Sequence, residues 1–248
     1  MLIDESFRTA YRELEERMKA LAETDGDVFL PNPEPLGTAQ YILICMEPSL
    51  GHWARSVDQA RSRVEAGFRN FLSSIEASIL HFCARRYLCG PTDRYHITDF
   101  SKGAMLVKHA GFARTQRYDR WYSLLLQEIN LCGNLNSSIV AVGKRVAEEL
   151  VQRDFPRPFT SVIHYSGQAA LARRAGLKGR EDRFREFNGS VSLEDIVATM
   201  GDALKDAHVP PAIRNDILAQ LQIPTEGGRL FRLEGGRRSD LKPATIPI

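Results

Sequence analysis

The sequence predicts an α/β fold: a three-layer α/β/α arrangement around a central, mainly parallel four-stranded sheet, with helical additions at both ends. Four apolar, β-branched segments stop abruptly at polar residues, as buried strands do, and helical periodicity lies between them. Strands that alternate with helices form βαβ units, which give a parallel sheet. The four segments are ILICMEPSLG at 42–51, YHITDFSKGA at 95–104, SIVAVGK at 138–144 and SVIHYSGQA at 161–169.

The elements follow in order along the chain. An amphipathic helix over 4–23 places apolar residues at alternating spacings of four and three, and PNPEP at 31–35 ends it. Helical spacing recurs over 56–88, before Gly90-Pro91, and again over 118–132 and in KRVAEELV after Gly143. The strands are predicted at about 40–46, 94–100, 138–142 and 159–165.

The C-terminal part of the chain predicts further helices. Ser192 is a candidate N-cap for SLEDIVATMGDALKDA, with Asp195 completing a variant of the capping box. A second helix is expected over 210–222, and a Gly- and Arg-rich tail follows from 224. We expect one domain over 1–248, with a core at about 40–175, the N-terminal helix at 4–23, and C-terminal helices and a basic tail at 190–248.

Composition restricts the possible classes of protein. A hydrophobic content of 43% and a charged content of 26% are ordinary for a globular protein, and no apolar run approaches the ~20 residues that span a membrane. A cytoplasmic protein with no membrane partner is therefore expected. The four cysteines form no C-x-x-C pair and lie in apolar surroundings, so we predict buried thiols, no metal and no cofactor: Cys45, Cys83, Cys89 and Cys132.

Basic charge is concentrated late in the chain. Residues 173–185 carry a net charge of +4 and residues 229–242 carry +3, which leaves −5 on the remainder. This asymmetry predicts a surface that faces phosphate, although a solvated charged helix is an alternative.

Three titratable residues end predicted strands: Glu47, Asp99 and His164. In open α/β sheets, the carboxyl edge is where ligands bind. Other motifs are incomplete, because Gly143-Lys144 lacks the spaced glycines of a phosphate loop and Ser166-Gly167 lacks the preceding glycine of a nucleophile elbow.

Taken in order, the four segments resemble the uracil-DNA glycosylase superfamily over roughly residues 40–175. In that superfamily the first strand ends in an acidic or amide residue followed by proline, here Glu47-Pro48, and the second ends in a residue that reads the flipped base, here Asp99. The third strand and its helix resemble VAVGKRVAEEL, and the fourth ends in a histidine followed by a minor-groove serine, here His164 and Ser166.

The resemblance implies a monofunctional DNA glycosylase that flips a base and hydrolyses its N-glycosidic bond to leave an abasic site. Glu47 would orient water and stabilise the sugar cation, and His164 would stabilise the departing base. Asp99 would read the base, and Trp53 and Tyr165 are candidates to stack on it. The base pocket would be formed by Met46, Pro48, Ser49 and Phe100.

Departures from the family pattern concern the substrate. Ser49 replaces the tyrosine that excludes C5 substituents, and Asp99 replaces an asparagine; an ionised carboxylate only accepts, which favours the amino group of cytosine. These changes predict a C5-modified cytosine, such as glucosylated hydroxymethylcytosine in phage DNA, and hence antiviral defence. Tyr165 replaces the usual proline, and Gln168 occupies the position of the leucine wedge.

DNA is the expected partner, and a monomer is expected. The predicted DNA contacts are Ser166, Gln168, Arg173, Arg174, Lys178, Arg180 and Lys102. For Lys102 the alternatives are an exposed lysine and a nucleophile that forms a Schiff base.

Rival interpretations stay open. They are a uracil-DNA glycosylase of base-excision repair, a non-catalytic module that binds modified DNA, and a nucleoside hydrolase. The alternatives for single residues are that Glu47 is a turn residue, that Asp99 caps a turn and that His164 packs against Tyr165.

Overall fold

A computed structural model of the protein describes residues 5–35, 37–51, 53–72, 75–106, 109, 114–165, 169–182, 185–186 and 192–206. Ser166, Gln168, the helix expected over 210–222 and the tail from 224 lie outside these residues. The chain forms two compact units, each described by itself below. One comprises Met1–Leu72 and Cys89–Ser161, and the other comprises Ser73–Leu88 and Val162–Ile248.

A four-stranded parallel sheet flanked by helices forms the centre of the fold, in the strand order β3-β2-β5-β6. Its strands are β2 (Tyr41–Cys45), β3 (Tyr95–Asp99), β5 (Ser138–Val142) and β6 (Phe159–Val162). The first unit also contains the helices α1 (Glu5–Thr24), α2 (Val57–Glu65), α4 (Arg114–Cys132) and α5 (Lys144–Gln152). The predicted three-layer α/β/α class is confirmed.

Apolar β-branched residues of the two inner strands pack against α4. These strands, β2 and β5, pair in parallel, so successive residues alternate between the two faces of the sheet. The core on the α4 side contains Ile42, Ile44, Ile139, Ala141, Leu125 and Ile129.

The observed strand ends match three of the four predictions closely. The third strand has the predicted bounds, and the first and second are each one residue shorter at both ends. The fourth ends at Val162, three residues early, so His164 lies beyond the strand. Among the described strands, β6 pairs with β5 alone, so a single ladder holds it.

The helical region predicted over 56–88 is interrupted. Ser56 caps α2 by accepting a hydrogen bond from the Gln59 backbone N–H at 3.2 Å, and the helix ends at Glu65. Phe71 then adopts a φ of +60°, which no helix tolerates, before α3 (Ile75–Cys83) begins in the second unit. A π-helical turn over Ala84–Leu88 follows α3.

A small antiparallel pair that periodicity does not predict lies outside the central sheet. β1 (Val28–Phe29) pairs with β4 (Gly103–Ala104). Two-residue strands are too short for a period of two to be recognised.

The second unit contains α3, α6 (Ala170–Leu177) and α7 (Leu193–Asp206), and α3 packs against α7. The predicted cap of α7 is confirmed: Ser192 Oγ accepts from the Asp195 N–H at 3.0 Å, and Asp195 Oδ2 accepts from the Ser192 N–H at 3.2 Å. Within the described part of the chain, no helix is long and apolar enough to cross a membrane.

Close packing after α4 gives a test of the core. A Cβ at Gly133 would lie 2.7 Å from Ile42 Cδ1 and 3.0 Å from the Ile129 carbonyl oxygen. Gly133→Ala is therefore expected to lower the free energy of unfolding by about 1–3 kcal/mol in a urea titration. Asn136→Ala in the exposed loop nearby is the matched control, and equal stabilities of the two variants would contradict the packing described.

Candidate functional site

Two acidic side chains follow adjacent strands at one edge of the sheet. Asp99 ends β3 and lies opposite Cys45, the last residue of β2, and Glu47 follows two residues later. Because β2 and β3 are parallel, both carboxyl groups lie at the carboxyl edge, as the sequence predicts.

The Glu47 carboxylate is held by two residues that lie one turn apart at the start of α4. Oε1 accepts from Arg114 Nε at 2.9 Å and from Nη2 at 2.5 Å, while Oε2 accepts from the Tyr118 hydroxyl. The Glu47 side chain is 2% exposed. Burial lowers the pKa of Arg114, but Glu47 outweighs burial and raises the pKa overall. Glu47 is therefore one half of an anchored ion pair.

Asp99 is buried and is held by neutral amides. Asn70 Nδ2 donates to Oδ2 at 2.8 Å. Asn32, with its amide oriented to satisfy both contacts, donates to Oδ2 at 3.0 Å and accepts from the Asp99 backbone N–H at 3.3 Å. Two amides therefore converge on one oxygen of the carboxyl.

Burial raises the pKa of Asp99 well above its ordinary value. The Asn70 hydrogen bond and the charge of Lys102 oppose this shift, while the charges of Glu128 and Glu47 add to it. This shift works towards the neutral form, which donates as well as accepts. It therefore bears against the premise that Asp99 only accepts hydrogen bonds, and the role of Asp99 in reading a base stays a prediction.

The segment after Glu47 has specific backbone contacts. Pro48 is buried, and Ser49 and Met46 are half-buried. Ser49 forms an isolated parallel bridge with Met105, and its carbonyl accepts from Trp53 Nε1 at 2.6 Å. These contacts fix the Ser49 backbone two residues after Glu47.

Two aromatic residues proposed for base contact have partners within the protein. Phe100 is fully buried and stacks on Tyr118 with ring centroids 4.2 Å apart, and its predicted role in a base pocket is wrong because its ring belongs to the core. Trp53 stacks on Phe68 with ring centroids 4.7 Å apart, so one face of its indole is covered by the protein itself.

Lys102 is a core residue, and its predicted phosphate contact is wrong. It is 1% exposed, and its Nζ lies 2.5 Å from Glu128 Oε1. Glu128 Oε1 also lies 2.9 Å from His96 Nε2, and Oε2 accepts from Thr98 Oγ1 at 2.8 Å. Burial would raise the pKa of Glu128, but Lys102 and His96 outweigh it and lower the pKa to about 2.

One group in this cluster has the residue types of a metal site. Ligand atoms of His96, Glu128 and Cys132 lie within 4.8 Å of one another. The Lys102 ammonium already supplies the positive charge beside Glu128, and burial raises the pKa of Cys132, which keeps it a thiol. Metals bind the thiolate, so a buried thiol is a poor ligand, while His96 and Glu128 are already joined by a hydrogen bond.

In the second unit, the His164 ring stacks on Tyr165 with centroids 4.5 Å apart. This contact agrees with the alternative in which His164 packs against Tyr165. Burial, and then the charge of Arg173, lower the pKa of His164 and favour a neutral imidazole. Arg173 is 4% exposed and its Nη1 donates to the His164 carbonyl at 2.5 Å. The predicted phosphate contact of Arg173 is therefore wrong, because its guanidinium is buried.

The remaining basic residues of this segment are exposed: Arg174, Lys178 and Arg180. Their predicted contact with phosphates stays a prediction, and the roles predicted for Ser166 and Gln168 concern residues outside the described ranges.

Sequence reasoning missed the residues that hold the two carboxyls. Arg114 and Tyr118 lie four residues apart, a spacing that places both on one helix face, but the predicted helix began only at 118. Glu128 stands within the apolar stretch LLLQEINLC, and this position indicates a buried charge, because a lone acid on a buried helix face needs a partner. Asn32 and Asn70 carried no such signal.

Comparison with known proteins gave no match to a protein-family model, a curated protein or a solved structure.

The Glu128 cluster predicts a large loss of stability on neutralisation. Glu128→Gln leaves the buried Lys102 ammonium without its carboxylate, so the free energy of unfolding at pH ~7 should fall by about 3–5 kcal/mol. Glu148→Gln, at a half-exposed position, is the control and should change it by less than ~0.5 kcal/mol. The folded pKa of about 2 lies below the unfolded value of 4.5. The stabilisation is thus complete above 4.5 and lost as the pH falls towards 2, where the variant and the native chain should converge.

Asp99 predicts the opposite pH dependence. Because its folded pKa is raised above the unfolded value of 3.8, it favours the folded state at low pH, and this contribution is lost as the pH rises through the folded pKa. Asp99→Asn does not titrate, so its stability relative to the native chain should rise in urea titrations as the pH is raised above 3.8. Asp58→Asn, at a 94% exposed side chain, should show no such trend. A constant difference for Asp99→Asn would rule out the raised pKa.

Proposed function

We propose that this protein is a monomeric, cytoplasmic DNA glycosylase that extrudes a base and hydrolyses its N-glycosidic bond, leaving an abasic site. The observation that carries the proposal is the pair of carboxyl groups at one edge of the sheet, Glu47 and Asp99, each held by donors from neighbouring segments. An extruded base needs one group at the sugar and another at the base edge. The exposed basic residues Arg174, Lys178 and Arg180 support a polyanionic partner.

Glu47 has one position left to hold a water molecule. A carboxylate oxygen accepts two hydrogen bonds, so the two Arg114 N–H groups fill Oε1, whereas Tyr118 fills only half of Oε2. A water bound at Oε2 would be oriented for attack on the sugar, with Glu47 taking its proton.

The preferred substrate we propose is a C5-modified cytosine, such as glucosylated hydroxymethylcytosine in phage DNA, in the service of antiviral defence. Ser49 supports it, because a small side chain leaves room where a larger one would meet a C5 substituent.

Two specific observations favour alternatives. The raised pKa of Asp99 gives a carboxyl that resembles an amide in its hydrogen bonding, which suits uracil and base-excision repair. The Arg114 guanidinium beside Glu47 offsets the charge that would stabilise a sugar cation, which suits a module that binds modified DNA without cleaving it.

Base release and DNA binding should separate in a Glu47 variant. Duplexes of one sequence carrying glucosylated hydroxymethylcytosine, hydroxymethylcytosine, cytosine or uracil would be incubated with the protein, cleaved with alkali, and the released base identified by mass. Glu47→Gln should reduce release by roughly 10²–10⁴-fold while affinity at fixed salt stays unchanged. Glu148→Gln should retain both properties.

The outcomes distinguish the candidates. Release of the modified cytosine but not uracil supports the defence function, and release of uracil from a simple duplex supports repair. Selective binding without release supports the non-catalytic module. Equal loss of binding and release in Glu47→Gln would remove Glu47 from the catalytic role.

A further inference from the structure

Asn70 connects the buried Asp99 carboxyl to an unusual turn. Its Nδ2 donates to Asp99 Oδ2 at 2.8 Å, and its Oδ1 accepts from the Phe71 backbone N–H at 3.0 Å. Its own backbone N–H donates to the Pro31 carbonyl at 2.9 Å. Both ends of the Asn70 amide and its backbone are therefore fixed.

The turn itself is strained. Phe71 is 5% exposed and has a φ of +60°, a left-handed conformation that a bulky residue rarely adopts. Strain of this kind persists where the surroundings over-determine it, and it is concentrated at functional sites. The bond from the Phe71 N–H to Asn70 is one of the contacts that hold it.

Asn32 completes the arrangement from the other side. It is fully buried, and its amide also donates to Asp99 Oδ2, at 3.0 Å. Two donors fill the capacity of Oδ2, so Oδ1 is the oxygen of Asp99 that can still contact a ligand.

We propose that Asn70 is a specificity-determining positioning residue: with Asn32 it saturates Oδ2 of Asp99 and leaves Oδ1 alone to read the hydrogen-bonding edge of an extruded base. This inference rests on the proposed binding of DNA with an extruded base.

A single reading oxygen discriminates by its position and its protonation. When ionised, Oδ1 accepts from the cytosine amino group or the uracil N3–H; when protonated, it donates to cytosine N3 or uracil O4. The groups that influence its protonation are Asn70 and the charged residues Lys102, Glu128 and Glu47. If Oδ2 lost one of its donors, it would also be able to bond to the base. Two oxygens of Asp99 would then contact neighbouring atoms of the base edge, and the carboxyl would no longer distinguish one atom from the other.

Binding of uncleavable DNA tests the inference without relying on catalysis. Duplexes with a 2′-fluoro sugar at one nucleotide would carry glucosylated hydroxymethylcytosine or uracil there, and their Kd values would be compared for each variant. Asn70→Ala should lower the ratio of the two affinities by roughly tenfold towards unity, while affinity for an unmodified duplex stays within about twofold. Asn136→Ala, in an exposed loop, should keep the native ratio. A native ratio retained in Asn70→Ala, or a ratio of one in the native chain, would overturn the inference.

The variant Asn70→Asp tests whether Asn70 positions the Asp99 carboxyl or only stabilises the fold. It also replaces Asn70→Ala in the experiment if that variant fails to fold. It places a second carboxyl within hydrogen-bond distance of Asp99 Oδ2, and two such groups share a proton at low pH. The donor is restored when the new carboxyl is protonated, so base discrimination should recover as the pH falls from about 8 to about 5. A loss independent of pH in folded protein would contradict the positioning role.

Cleavable duplexes measured in parallel keep the two proposals apart. Absence of base release from the native chain would overturn the glycosylase activity, whereas the binding ratio of the uncleavable duplexes would still decide the role of Asn70.

Discussion

The buried carboxylate of Glu128 is the interaction on which the acidic edge depends. It is fully buried, and it receives Lys102, His96 and Thr98 as partners. Removing a carboxylate from water costs several kcal/mol, so the partners must be in place for the fold to form. Because these partners come from β3 and the segment after it, Glu128 locks α4 onto the strand that ends at Asp99. The first turn of the same helix carries Arg114, which holds Glu47.

The helix α4 holds the Glu47 carboxylate, and the strand β3 ends at Asp99, so Glu128 fixes the positions of both groups. The partners that surround the two carboxyls nevertheless differ in charge. Glu47 is paired with the Arg114 guanidinium. Asp99 meets the neutral amides of Asn70 and Asn32, and burial raises its pKa. Neighbouring carboxyls whose environments differ in this way are suited to different tasks. In the proposed function, the carboxyl paired with a guanidinium would serve at the sugar and the carboxyl held by amides would serve at the base edge.

Sequence patterns predict the features that depend on neighbouring residues, such as strands. They do not predict the features that depend on contacts between residues far apart in the chain. The strand at 138–142 follows directly from an apolar, β-branched run. The interruption of the helical region at Phe71 is not predictable from the sequence, because a non-glycine residue with a left-handed φ has no characteristic sequence pattern. Lys102 and Arg173 looked like surface charges, since charge normally indicates exposure. Their burial depends on Glu128 and on the His164 carbonyl, partners that spacing does not predict.

The correction of Lys102 and Arg173 alters how any affinity for DNA must arise. Of the described residues expected to contact phosphates, Arg174, Lys178 and Arg180 remain exposed, and all lie in the second unit. Phosphate contacts supply affinity that depends on salt and carries no sequence information. The carboxyls and their amide partners lie in the first unit and contribute little net charge. In the proposed function, affinity for DNA and selectivity for a base would therefore rest on different segments of the chain, and salt would change the first without changing the second.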